Sequence, residues 1–284
     1  MNESEFIEAL RKLPLHPGAR GLEDDCAVLE IGNETLILTH DSMAEGTHWL
    51  TDADPYDIAW KLVATNLSDL ASKGADPIGL LLGHTLGKED ERFLEGLHAI
   101  LSQNDVPLLG GDTIKAEGPR TLGLTAIGRA THTPVPARSG AQIGDNVYVT
   151  GILGRAMQGF EGDPAHLEAY NRPVPRLSEG KALAPHVTAM MDISDGLLLD
   201  AFRMAQASEV TLSIDSTKVP VAAAQRISDC LRWGDDYELL FTLPSSASPS
   251  VPSTRIGTVE PHGFAPLVLD NEPIVNAEGL GYRH

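Results

Sequence analysis

Residues 55–77 read PYDIAWKLVATNLSDLASKGADP, and how this stretch folds decides the arrangement of everything around it. Pro55 is a favourable first-turn residue, because the N–H it lacks would have no intrahelical partner, and Gly74 is a natural helix stop. The apolar residues between them predict one long helix, and the run Ile78 to Leu82 that follows predicts a strand. Asp69 breaks the pattern. It lies between Leu67 and Leu70, late in the helix, where a carboxylate is unfavourable unless it has a partner.

Upstream, Thr35 to Thr39 is a strand-like run ending in polar residues, and Ser4 to Leu13 sets Phe6, Ile7, Leu10 and Leu13 on one face of a short helix. Downstream, EDERFLEGLHAILSQ (89–103) places Phe93, Leu94, Leu97, Ile100 and Leu101 on one buried helical face. VPLLGGDTIK (106–115) and a strand, TLGLTAIG (121–128), come next. Residues 131–144, THTPVPARSGAQIG, hold two prolines and two glycines without apolar periodicity, so a domain boundary is expected there, dividing residues 1–136 from 137–284. The second half also alternates, through NVYVTG, a helix after Gly154, VTAMM, GLLLDAFRMAQAS, VTLSID, YELLFTLP and TRIGTVE. Such alternation predicts two α/β-type domains and leaves parallel and mixed sheets equally open.

The 284 residues carry 40 Asp plus Glu against 21 Lys plus Arg, a formal charge of −19. That sign repels nucleic-acid phosphates and anionic membrane surfaces, so neither is an expected partner. Cys26 and Cys230 are too few for a disulfide framework and suit a reducing compartment. No apolar stretch reaches the roughly 18 to 20 residues of a membrane span, and the acidic start MNESEFIEAL lacks the basic region of a signal peptide. A cytoplasmic location is expected.

The acid is concentrated beside glycines and at the ends of strands: Glu23-Asp24-Asp25, Thr39-His40-Asp41, Asn66 to Asp69, Gly110-Gly111-Asp112-Thr113, Asp192 to Gly196, and Gly234 to Glu238. Any one of these is equally readable as a turn or a helix cap. Together they have a stronger consequence. Two carboxylates about 4 Å apart repel by roughly 4 kcal/mol at an effective dielectric near 20, so convergent aspartates need cations. Oxygen ligands from Asp, Ser and Thr suit hard ions such as magnesium, and no Cys or His pair has zinc-ligand spacing. Magnesium on acid in an enzyme commonly serves a phosphate-bearing substrate. The phosphate-binding loop G-x-x-x-x-G-K-S/T, H-R-D, D-F-G and G-x-G-x-x-G are all missing from the sequence, so a nucleotide has to be held through metals and scattered backbone groups.

Eight segments in order, GLEDDCAVL, LTHDSMAEGTHW, AWKLVATNLSDLASKGADP, LLGGDT, ARSGAQIGDNVYVTG, RPVPRL, MDISDGLLLD and GDDYELLFT, resemble the thiamine-monophosphate kinase family over nearly the whole chain. DISDG is shared with relatives, whereas NLSDLASKGADP together with GDDYEL is specific to this family. The resemblance implies the aminoimidazole ribonucleotide synthetase-like fold: two α/β (α+β) domains with mixed sheets packed by helices. It also implies ATP bound at a cluster of several magnesium ions, a homodimer formed through the N-terminal domain, and transfer of a phosphoryl group from ATP to thiamine phosphate. Carried over motif by motif, it implies metal ligation by Asp25, Thr39, His40, Asp41, Asp69, Asp112, Asp192 and Asp195, with Asp41, Asp69 and Asp112 catalytic. ATP contacts fall at Gly111, Arg138 and Ser194, and contacts to the thiamine side at His48, Asp235 and Tyr282. Arg138 and Lys115 supply fixed positive charge in this reading.

The sequence departs from the family pattern at Glu23, where a glycine is usual, at His40 for threonine, at Trp233 for glycine, and in GDTIKA for GDTTRG. Three other readings fit less well. A selenophosphate or purine-pathway synthetase shares fold and metals, but the former needs a reactive Cys near the N-terminus, and none precedes Cys26. A non-catalytic nucleotide binder has no use for His48, Asp235 and Tyr282 together. A metallophosphatase built on His40-Asp41 lacks further histidines in register.

Overall fold

The computed structural model describes residues 3–282, which form two sheets. The first contains β1 (Ala27–Ile31), β2 (Glu34–Ala44), β3 (Ala75–Thr85), β4 (Leu108–Ile114) and β5 (Thr121–Ala130), in the order β1-β2-β5-β3-β4. Only β3 and β4 run parallel. The second contains β6 (Asn146–Val149), β7 (Ala189–Asp192), β8 (Thr211–Ile214), β9 (Leu239–Leu243), β10 (Thr254–Glu260), β11 (Leu267–Leu269) and β12 (Glu272–Ile274). Its order is β12-β11-β8-β10-β6-β9-β7, with β8 and β11 the parallel pair. Both sheets are therefore mixed, the point that strand–helix alternation alone cannot decide.

The long helix forms where the sequence places it, as α2 (Pro55–Ser72), following a short α1 (Glu3–Leu10). The Asp54 carboxylate accepts the N–H of Tyr56 at 2.9 Å and so satisfies one of the unpaired donors of the first turn. α2 is buried almost all round, because it has cover on two sides. On one side it lies against β2 and β5, where Ile37, Leu122, Leu124 and Ala126 join Leu62, Val63, Leu67 and Leu70 in one core with Phe93 and Ile100 of α3 (Asp90–Asn104). On the other it meets α6 (Leu177–Leu183) so closely that a Cβ on Gly180 would stand 1.9 Å from the Ala71 carbonyl oxygen. Trp60 Nε1 also donates to the Pro173 carbonyl at 3.1 Å.

A second core lies between the seven-stranded sheet and α7 (Leu197–Ala207), around Val147, Met191, Leu198, Phe202, Leu212 and Leu240. Short helices α4 (Arg155–Phe160), α5 (Leu167–Asn171) and α8 (Ile227–Cys230) fill the connections.

β2 runs further than its apolar stretch suggests, through Thr39 and Asp41 to Ala44, because those polar groups find partners on α2. Strand alternation puts Thr39, Asp41 and Met43 on the helix side and His40 and Ser42 on the other. The edge strand β4 is exposed along its whole length.

Candidate active site

Asp69 has the partner its position demands: the Thr39 hydroxyl donates to it from β2. Beside it, the Asp41 N–H donates to Asn66 Oδ1 at 3.1 Å, and the Asp41 carboxylate accepts from Thr65, so the strand is fastened to the helix on both sides of the acid. Ser68, one turn-neighbour away, donates to Asp192 at 2.6 Å across the seam between the two sheets. Asp192 ends β7 and is 2% exposed. Asp25 packs on the last turn of α2, between Lys73 Nζ at 2.6 Å and the Arg138 guanidinium.

The electrostatics of these acids differ. Burial pushes the Asp69 carboxyl well above the usual range, and Asp41, Asp192 and Asp25 push it further. Asp41 is raised by burial and by Asp25 and Asp195, against His40 and Thr65. Asp192 is pushed up to about 8 by burial and by Asp25. For Asp25 burial works the same way, but Arg138 and Lys73 outweigh it and hold the carboxyl well below the usual range.

Clustered, buried carboxylates that drive one another toward the protonated form, with the Thr39, Thr65 and Ser68 hydroxyls among them, fit a hard divalent cation in donor type and in charge. They do not yet converge as a ligand set. Among the described residues no three His, Cys, Asp or Glu side chains form a metal-holding group, since Asp25 is engaged by Lys73 and Arg138 and Asp195 by Arg203.

Asp41, Asp69 and Asp192 open onto a cleft of about 560 Å³ that also receives Ser194, Asp195, His48, Asp235 and Tyr282. Eight of the residues singled out from sequence thus share one cavity. The two acidic turns of the second half meet there because their backbones interlock: Asp235 N–H donates to the Ser194 carbonyl at 2.8 Å and Tyr237 N–H to that of Ile193 at 2.9 Å. Gly234, at φ +88°, permits this, because a Cβ on it would stand 2.4 Å from the Ser194 oxygen. His48 is aimed by its Nδ1, which accepts the Ala44 N–H at 3.0 Å. Tyr282 N–H reaches the Asp195 carbonyl at 2.9 Å.

The remaining expected residues lie elsewhere. Thr39, Asp25 and Arg138 sit behind the cleft wall, and Arg138 is spent on Asp25. The His40 ring points to the opposite sheet face, where Nδ1 meets Thr125 Oγ1 at 2.9 Å, so only its backbone is left to serve the Asp41 side. Asp112 is in register with Gly83, Gly123 and Ser42 on that same outer face. It therefore stands about 14 Å from Ser42, three strand spacings away, and does not join the cluster within one chain. Gly111 on the same edge strand has a structural reason of its own, since a Cβ would stand 1.9 Å from the Leu82 carbonyl oxygen. Lys115 is exposed.

The fixed cations of the cleft are instead Lys61 and Arg232. Neither is singled out by motif, but a signal for Lys61 exists. Lys61, Thr65 and Asp69 follow i, i+4, i+8 on α2, so they form one polar line along an otherwise apolar helix.

Comparison with known proteins finds relatives over nearly the whole chain. The family described as AIR synthase related protein, N-terminal domain, matches residues 23–130, and its C-terminal domain matches 142–261. The thiamine-monophosphate kinase of Escherichia coli (strain K12) is 36% identical, over 93% of this chain and 91% of that protein. The Salmonella typhimurium enzyme of the same name is 39% identical over 79% of this chain and 76% of its own length. The structure of AaThiL complexed with AMPPCP and TMP superposes with a TM-score of 0.87 at 29% identity, covering 100% of this chain and 97% of that one. Among the described residues no helix is long and apolar enough to cross a membrane.

Proposed function

Since the chain belongs to the thiamine-monophosphate kinase family, we propose that it uses ATP to phosphorylate thiamine phosphate to thiamine diphosphate, and that the cleft between its two sheets is where this happens. The observation that carries the reading is the meeting, in one cavity, of Asp41 and Asp69 from the first half with Asp192, Asp195 and Asp235 from the second.

The acceptor needs no general base, because a phosphate monoester with a second pKa of about 6 is mostly dianionic at pH 7. The obstacle is repulsion between two phosphates, so the residues act by neutralising charge and by alignment. Asp41, Asp69 and Asp192, with Asp25 and Asp195 released from their arginines, would hold magnesium, which supplies charge neutralisation to the transferring phosphoryl group. Thr39 and Ser68 orient the Asp69 and Asp192 carboxylates. His48 and Tyr282 bound the thiamine end, Ser194 the nucleotide end, and Lys61 provides fixed positive charge inside. Transfer is direct and in line, without a phosphoenzyme.

A homodimer through the first sheet belongs to the same proposal. Leu81, Leu108, Leu109 and Ile114 on β3 and β4 are exposed, on a strand edge with unpaired backbone groups. A second copy is the occupant that would also cover Asp112, which stands apart from the cluster within one chain. A cytoplasmic location suits the two buried free cysteines and the nucleotide.

The test is to incubate the protein with magnesium, ATP and thiamine phosphate and separate the products. ADP and thiamine diphosphate in equal amounts are expected, with Asp69→Asn slower by about a hundredfold or more. Inorganic phosphate with unchanged thiamine phosphate would refute the reading.

A further inference from the structure

Lys61 reaches the cleft already neutralised, its Nζ 2.6 Å from Asp235 Oδ2. Arg138 and Arg203, beside the acids, are likewise engaged, by Asp25 and by Asp195. Arg232 differs. It lines the same cavity, and among the described residues no carboxylate pairs with it. Its Nε donates to the Gly279 carbonyl at 3.1 Å, and its Nη1 donates to the Ser228 carbonyl at 3.0 Å and to the Ser228 hydroxyl at 2.5 Å. These bonds fix the direction of the guanidinium. They leave Nη2, with two N–H donors, without a hydrogen bond among the described residues. The result is a half-buried positive charge, gripped along one edge and open along the other.

We propose that Arg232 binds the phosphate of the acceptor, and so sets the preference of the cleft for a phosphorylated substrate over the free alcohol. The inference rests on the kinase reading above and deepens it. No motif carries a role to this residue: it precedes Trp233, where the sequence departs from the family's glycine. Its placement supplies the argument. Arg232 packs on the turn that bears Ser194 and Asp195, since a Cβ on Gly196 would stand 2.8 Å from the Arg232 carbonyl oxygen. The segment that receives its Nε at Gly279 runs on to Tyr282, whose N–H reaches the Asp195 carbonyl at 2.9 Å. Guanidinium, Tyr282 and Asp195 therefore belong to one wall, which joins the thiamine end to the acids. A phosphate entering a cavity lined by Asp41, Asp69, Asp192, Asp195 and Asp235 meets repulsion wherever metal does not cover it, and a preset guanidinium offsets that at small entropic cost. An anchor for the C-terminal segment needs only the bond to Gly279. The unneutralised charge and the open Nη2 are what a phosphate explains.

The experiment is equilibrium binding of thiamine phosphate, thiamine and ATP, with magnesium present, to the full chain as wild type, Arg232→Gln and Arg232→Lys. Thiamine reads any loosening of the C-terminal segment, so the ratio of the first two affinities isolates the phosphate contact. In Arg232→Gln the preference for thiamine phosphate over thiamine should fall about tenfold or more, the loss expected for a charge-assisted hydrogen bond. Arg232→Lys restores the charge without the planar fork and should recover part of that preference. In turnover, Arg232→Gln should raise KM for thiamine phosphate and keep kcat within about threefold, as for a contact made equally in ground and transition states. Thermal melts check that both variants fold. A preference that falls by less than about threefold in Arg232→Gln, with thiamine and thiamine phosphate weakened alike, is the signature of an anchor and would overturn the inference. So would a loss that falls on ATP instead, which gives the charge to the nucleotide. Turnover by the wild-type protein separates the two readings. With turnover present and the preference intact in Arg232→Gln, only this inference falls; without turnover, both fall.

Discussion

Lys73 is a buried cation, its side chain 0% exposed and its ammonium 2.6 Å from both Asp24 and Asp25. A third contact reaches the Met190 carbonyl at 3.4 Å on the second sheet, so one buried ion joins the N-terminal loop, α2 and β7. Consider Lys73→Met, which keeps the straight stem and removes the charge. Each carboxylate retains an arginine, Arg20 on Asp24 and Arg138 on Asp25, so neither is left bare. The loss then belongs at the lower edge of the ~3–5 kcal/mol seen when one partner of a buried pair is removed, about 3 kcal/mol. At roughly 2–4 °C per kcal/mol, the melting temperature falls by about 6–12 °C.

The measurement is thermal unfolding by circular dichroism at pH 7, at low and high salt. A buried pair is scarcely screened, so the deficit should persist in high salt, unlike that of an exposed pair such as Lys181 with Asp76. The pH arm has a definite sign. Asp25 is held below its ordinary value, so its stabilisation is complete above the unfolded carboxylate pKa of about 3.9 and drains away as pH falls toward the depressed value. With Lys73 gone the depression shrinks, and acid unfolding should begin at higher pH. A variant within about 1 kcal/mol of wild type, or a deficit abolished by salt, would refute the assignment of Lys73 as a buried ionic joint.

Two further outcomes follow from other parts of the fold. Asp200 is pushed up to about 7 by burial first and Asp195 next, against Arg203 and Arg138, so its contribution is full below pH 4 and is lost as pH rises through 7. Asp200→Asn should flatten that part of the stability profile by roughly 2–4 kcal/mol, and an unchanged slope in urea melts between pH 4 and 8 would contradict it. Leu109→Glu and Ile114→Glu place charge on the exposed edge strand; for the proposed dimer, light scattering should give twice the monomer mass for wild type and the monomer mass for both variants, and an intact dimer in both would move the interface elsewhere.

Periodicity carried most of the first half. Residues 55–72 are helical because Asp54 caps them and Pro55 opens them, both local facts. The recurrence of aspartate after strands pointed to Asp41, Asp192 and Asp195, and a carboxylate inside an apolar helix pointed to Asp69; the four line one cleft. The pairing of Lys61 with Asp235 was out of reach, since 174 residues separate them and only the contact between sheets unites them. For the same reason the lysine reads as the odd charge in an apolar helix. Sheet faces were equally hidden: His40 and Asp41 are adjacent in sequence and point to opposite sides of β2, so a motif that names both says nothing of which side each serves. The extension of β2 beyond Thr39 followed from hydrogen bonds to α2, a tertiary cause that overrides the end of the apolar run.

The charge of −19 is not distributed as a solvated coat alone. Asp24 and Asp25 are compensated by Arg20, Lys73 and Arg138, whereas Asp41, Asp69 and Asp192 carry raised carboxyls and have hydroxyls and an amide for company. Both groups meet the C-terminal half of α2, Asp24 and Asp25 at Lys73, and Asp41 and Asp192 at Asn66 and Ser68 beside Asp69. A cation entering at Asp69 would find oxygen donors already oriented on one side and an acid held in reserve by arginine and lysine on the other. Stability and reactivity are thus divided along α2. Its C-terminal turn, at Lys73, holds the halves of the protein together with compensated charge. The line from Lys61 through Thr65 to Asp69 faces the cleft.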